Sequence, residues 1–135
     1  MESDQFHAIV LEAWEALPAR FRERIHNVAI VVEPVGRTPV GFEHGIARGS
    51  ILLGLYQGIP LNRRSEGYSG VLPDRITLFQ EAIQQVAQGD DHLVRQVVED
   101  VLLHEVAHYF GFSEAEVRAM EKTRAARLTQ SARPR

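Results

Sequence analysis

Between Asp91 and Gly111 no glycine or proline interrupts the chain, and Leu93, Val97, Val101, His104 and His108 recur at the spacing of one helix face, widened by Val94, Val98 and Leu102. Such a helix turns its apolar stripe to a core, so the other elements must be arranged around it. The stripe closes on His104-Glu105-Val106-Ala107-His108. Two imidazoles four residues apart stand one above the other, about 6 Å apart along the axis, a span that one metal ion bridges. A lone histidine on such a face reads as a core group hydrogen-bonded to backbone. A pair with a glutamate between them would bury three neighbouring polar groups, at about 1–3 kcal/mol each unless something satisfies them, and a metal ion does so. Glu105 is not placed as a ligand, but it lies close enough to handle a water molecule at the metal.

In a chain with 6 histidines, shuffling would give His-Glu-x-x-His in roughly 2–3% of cases, so the flanking residues matter. Gly111, three residues past the second histidine, suits the left-handed conformation that ends helices. The chain then doubles back and brings an acid towards the open side of the imidazoles. Glu114 and Glu116 are both within reach. Ser113 and Glu116 stand at capping-box spacing, which predicts a new helix and gives Glu116 a structural task, folding back on the Ser113 amide. Glu114 has no such task and is favoured as third ligand, with Glu116 as the alternative.

The remaining elements follow from periodicity and breakers. Phe6, Ile9, Val10, Ala13, Trp14 and Leu17 predict an amphipathic helix over residues 4–17, capped by Ser3 or Asp4. Pro18 opens a second short helix with Phe21 and Ile25 on its apolar side, ended by Asn27. Residues 27–33 are a β-branched run that suits a strand covered on both faces. Residues 34–49, with their prolines and glycines, read as a long connection. A second strand is predicted over 50–56, where Gly54 marks a bulge or a close backbone approach. A loop over 57–74 leads to a third strand over 75–80, whose mixed face suits a sheet edge. Residues 81–87 predict one or two helical turns closed by Gly89, and Asp90 or Asp91 caps the long helix. A last helix runs from Ser113 through Val117 and Met120 towards Leu128.

At 135 residues and 44% hydrophobic, the chain fits one domain over 1–128, with 129–135 expected to be a disordered tail. The net charge of −3 and the absence of a basic block in the body suggest neither nucleic acid nor an anionic membrane as partner. The positive excess near the C-terminus, from Lys122, Arg124, Arg127, Arg133 and Arg135, reads as a solvated helix face and frayed end. There is no cysteine, which excludes disulfides and thiolate ligands. The start Met1-Glu2-Ser3-Asp4 lacks the pattern of a signal peptide and no apolar run reaches membrane-spanning length, so the cytoplasm is the expected location. His7 and His26 have no partner at ligand spacing and read as ordinary histidines. His44, in the long connection, reads as polar surface, with a distal ligand or substrate contact as the alternative.

The motif with its short spacer resembles the small bacterial zincin-like metallopeptidases, whose pattern continues as Gly-x-x-Asp after the second histidine. Leu53-Gly54-Leu55-Tyr56-Gln57-Gly58-Ile59-Pro60-Leu61, Tyr68-Ser69-Gly70-Val71-Leu72-Pro73-Asp74-Arg75-Ile76-Thr77 and Gly111-Phe112-Ser113-Glu114 extend the likeness over roughly residues 6–120. The resemblance implies His104 and His108 as metal ligands, Glu105 as the catalytic glutamate and Glu114 as the acidic third ligand. This chain has Glu where that pattern usually has Asp. The implied fold is α+β, a compact zincin-like single domain with a small mixed β-sheet packed on the active-site helix and helices at both ends.

The expected chemistry is hydrolysis of a peptide or protein substrate at zinc held by His104, His108 and Glu114, with Glu105 as general base. An extended peptide is expected to add to the strand at 75–80. Tyr109, Tyr68, Tyr56 and His44 are the candidates for stabilising the oxyanion. Two rival readings keep the metal. One is a non-catalytic zinc-containing peptide-binding or regulatory module. The other is a metal-dependent endoribonuclease, whose spacing between ligands is the same but whose third ligand is His, and which needs a basic stripe that the body of this chain lacks.

Overall fold

The computed structural model describes residues 1–35, 43–48, 51–58 and 74–132, and not the side chains of β2 or of parts of α5. The elements in chain order are α1 (Ser3–Glu15), α2 (Ala19–Arg22), β1 (Val28–Glu33), β2 (Glu43–Arg48), β3 (Ile51–Gln57), β4 (Asp74–Phe79), α3 (Gln80–Val86), α4 (Asp91–Tyr109) and α5 (Glu114–Ala132). Asp90 opens α4 as expected: its Oδ1 accepts the amides of His92 and Leu93 at 2.9 and 3.3 Å. At α1 the cap lies one residue earlier than Ser3. Glu2 takes that position, and its amide donates to Gln5 Oε1 at 3.1 Å.

The sheet has the order β1-β4-β3-β2. β1 runs parallel to β4, while β3 is antiparallel to both of its neighbours, so the sheet is small and mixed as the resemblance implied. Three expectations change. β4 was expected at an edge, but it lies inside the sheet: only Arg75 is exposed, and Asp74, Ile76, Thr77, Leu78 and Phe79 are buried. The polar residues interleaved in this strand made it look two-sided, yet one of them, Thr77, is buried, its β-branched shape suiting a strand. β1 was expected to be covered on both faces, but it is an edge strand, half-buried along its whole length. The connection expected over 34–49 contains β2, which pairs with β3. Glu43-His44-Gly45-Ile46-Ala47-Arg48 carries little strand signal of its own, and a neighbouring strand already in place supplies the pairing.

The bulge expected near Gly54 is present. Ile46 pairs with Gly54 and Ala47 with Leu52, which leaves Leu53 as the extra residue of β3. The close backbone approach is also present. A methyl group on Gly54 would overlap Val101 Cγ1 of α4 and lie 3.6 Å from Glu105 Cγ. α4 therefore crosses the sheet at β3 with almost no gap.

Phe6, Val10 and Ala13 of α1 and Val94, Val98, Val101 and Leu102 of α4 join Tyr56, Ile76 and Leu78 of the sheet in the core. The buried stripe of α4 runs through Val94, Val98, Val101, Glu105 and Tyr109, while Leu93 is 40% exposed. Over the first half of α4 the phase is one residue beyond that read from Leu93 and Val97, since Val97 is only half-buried, while His104 and His108 at the far end are buried as the stripe implies. At the other end, α5 reaches Ala132, four residues past the expected Leu128. No helix breaker occurs before Pro134, which lies with Arg133 and Arg135 outside the described residues.

Candidate metal centre

Helix periodicity brings the two motif histidines together on the last turns of α4. Their Nε2 atoms are 3.1 Å apart and their ring centroids 4.8 Å apart, and both residues are buried. Two nitrogens bound to one tetrahedral zinc at about 2.0–2.1 Å are separated by about 3.3 Å, so the pair fits a shared ion with only a small adjustment. Neutral imidazole nitrogens are also the donor type that zinc prefers. Glu105 lies deeper than either histidine, with no exposed surface against 7% for His104 and 5% for His108. It sits over β3, beside Val101 and Gly54.

The turn after α4 is built as the sequence predicted. Gly111 has φ 83°, its amide donates to His108 O at 2.9 Å, and the Phe112 amide donates to Ala107 O at 3.0 Å. These two bonds satisfy the last carbonyls of α4 and turn the chain back on itself. The Ser113 amide then donates to Glu116 Oε1, and the Glu116 amide donates to Ser113 Oγ, each at 3.1 Å. The carboxylate of Glu116 is thus engaged in starting α5. Glu114 is the first residue of α5, one helical position past the cap, but its side chain lies outside the described residues. Among the described residues no group of three His, Cys, Asp or Glu side chains gathers at metal-binding distances.

One residue at the centre had no signature in the sequence. Glu121 Oε1 lies 2.7 Å from His104 Nδ1, on the side of the ring away from His108. It is 17 residues from His104 and belongs to a different helix, and nothing in local spacing separates it from the other acids of α5.

Two of the oxyanion candidates are turned into the fold. Tyr56 OH donates to the buried Asp74 Oδ2 at 2.7 Å, and Tyr109 OH donates to His26 O at 3.3 Å. Their rings meet edge to face, with centroids 6.3 Å apart. The other two, Tyr68 and the His44 side chain, lie outside the described residues; the backbone of His44 pairs with Tyr56 at the edge of the sheet. His7 Nδ1 is 2.8 Å from Ser3 O within α1. A cleft of about 370 Å³ between α1, α2, α4 and α5 is lined by Leu17, Phe21, Leu103 and Met120 among others, and by none of the motif residues.

Among the described residues no helix is long and apolar enough to cross a membrane. The sequence model of one family, described as zincin-like metallopeptidase, matches residues 25–124, which takes in the whole sheet, α4 and the start of α5 with both Glu114 and Glu121. No curated protein matches the chain.

Proposed function

The chain belongs to the zincin-like metallopeptidase family, and from that premise we propose that it is a zinc-dependent peptidase that hydrolyses peptide bonds with a metal-activated water. The observation that carries this reading is the convergence of His104 Nε2 and His108 Nε2 to 3.1 Å at the end of a helix whose intervening Glu105 is fully buried. His104 and His108 would hold the ion, with Glu114 supplying the carboxylate that completes three protein ligands. When bound, zinc supplies a Lewis acid that polarises the scissile carbonyl and lowers the pKa of water towards 7.

Glu105 then acts as the general base. It receives a proton from the attacking water and delivers it to the departing amine nitrogen, so that one carboxylate serves both halves of the reaction. Its place against Gly54 and Val101 limits its rotamers and keeps it on the sheet side of the helix.

The strand expected to take the peptide is not a sheet edge. β4 is paired on both sides and cannot accept a peptide. The edges of the sheet are β1 and β2, and β2 is the nearer to the centre, because Ile46 pairs with the Gly54 that lies beneath Glu105. An extended peptide would add along β2 through backbone hydrogen bonds, and backbone pairing accounts for affinity without strong sequence preference.

The test is a peptide library incubated with the zinc-loaded protein and read by mass spectrometry. Cleavage that stops in Glu105→Gln, with zinc content unchanged, is the expected result. Zinc bound through His104 with no cleavage of any peptide or unfolded protein would make the chain a binding module instead.

A further inference from the structure

We propose that Glu121 is the positioning residue of this centre, holding His104 in the tautomer and ring orientation that present Nε2 to the metal. The inference rests on the reading of His104 and His108 as ligands and adds to it a residue in another helix. A carboxylate only accepts hydrogen bonds, so the 2.7 Å contact places the His104 proton on Nδ1, which donates to Glu121 Oε1. A neutral imidazole carries one proton. With that proton on Nδ1, Nε2 is left with a free lone pair, and Nε2 is the atom that lies 3.1 Å from His108 Nε2.

The burial of the two partners differs in a way that supports this role. The His104 side chain is 8% exposed, so water has little access to replace a lost partner, whereas the Glu121 side chain is 37% exposed. Glu121 nevertheless gives up solvent to meet the buried ring at short distance. A carboxylate behind a metal-binding histidine fixes the ring and makes it a better donor, and removal of such a partner typically weakens metal binding about 10–100-fold. The same contact ties α5 to α4 at the centre, through Glu121.

Zinc dissociation constants, measured by competition with a chromophoric chelator on the full chain, test the proposal, with melting temperatures of the metal-free proteins recorded in parallel. The set is wild type, Glu121→Ala, Glu121→Gln, His104→Ala and Lys122→Ala, the last an exposed neighbour on α5. Glu121→Ala should weaken zinc about 10–100-fold, Glu121→Gln should recover part of the loss because its amide oxygen still accepts from Nδ1–H, and Lys122→Ala should match wild type. A purely structural link between α5 and α4 would lower the melting temperature and leave zinc affinity unchanged, which overturns the proposal. So does Glu121→Gln binding no better than Glu121→Ala. If the Ala variant does not fold, the Gln variant against wild type carries the comparison.

Cobalt substitution separates positioning from direct ligation. Retention of the wild-type absorption bands in Glu121→Gln supports positioning, and a change that marks a lost ligand overturns it. Undiminished zinc binding by His104→Ala would remove the ligand reading itself. Loss in His104→Ala with none in either Glu121 variant would remove only the positioning role.

Discussion

Gly54 of β3 and Val101 of α4 approach so closely that no side chain fits between them. The contact lies one helical turn before Glu105, whose Cγ would also be 3.6 Å from a methyl placed on Gly54. Gly54→Ala must therefore lift α4 or push Val101 off its rotamer. Overpacking of this kind costs about 1–3 kcal/mol, which chemical denaturation will show as a lower midpoint. The double variant Gly54→Ala/Val101→Ala makes room for the methyl and should be more stable than the sum of the two single effects. Strict additivity would mean that the two residues do not share the strain.

The proposed zinc centre predicts a metal-dependent stability. An excess of free zinc at about 100 times the dissociation constant should stabilise the wild type by about 2.7 kcal/mol. A strong chelator should reverse the shift. His108→Ala removes one of the two converging nitrogens and should abolish the zinc-dependent part of the melting temperature while leaving a folded chain, as followed by circular dichroism. A zinc shift that survives in His108→Ala would place the ion elsewhere.

The centre was legible in the sequence where its geometry is local. His104, Glu105 and His108 lie within two turns of one helix, and Gly111 with the Ser113 and Glu116 box sets the turn that follows, so spacing alone defines them. Glu121 reaches His104 from another helix, through a packing angle that no spacing encodes. The sheet divides in the same way. β3 announced its bulge through Gly54, but the order β1-β4-β3-β2 depends on which strands meet. β1, rich in branched apolar residues, looked central and lies at the edge, while β4, with its Thr77, looked peripheral and lies inside. Side-chain pattern reports burial, and burial by a helix layer is not the same as pairing on both sides. β2 was missed because it is held by its partner more than by its own composition.

Tyr56 is committed to Asp74 and not to the chemistry. Its hydroxyl donates to Oδ2 at 2.7 Å in a buried setting, and the adjoining Gly58, with φ 151°, leaves no space for a side chain against the same carboxylate. Tyr56→Phe deprives a buried carboxylate of one donor and should destabilise by about 1.5–3 kcal/mol. Zinc affinity and the turnover of any identified substrate should stay within about twofold of wild type, because the hydroxyl stabilises the start of β4 rather than the centre. A selective loss of turnover with stability unchanged would instead return Tyr56 to the list of oxyanion donors.

Gly111 sets the direction in which α5 leaves α4. With φ 83° it holds a backbone conformation that an L-residue adopts at a cost of about 1–2 kcal/mol, so Gly111→Ala should lower stability by about that amount. Ser113→Ala, which removes only the cap hydroxyl at the start of α5, should cost about 1 kcal/mol. The two losses are similar in size and should differ in consequence. A cap can fray without moving the helix, whereas a changed turn after His108 redirects α5, which carries Glu114 and Glu121. Gly111→Ala is therefore expected to weaken zinc binding by at least tenfold and Ser113→Ala by no more than about twofold. Equal effects on zinc would mean that the centre depends on the stability of α5 and not on the path by which it is reached.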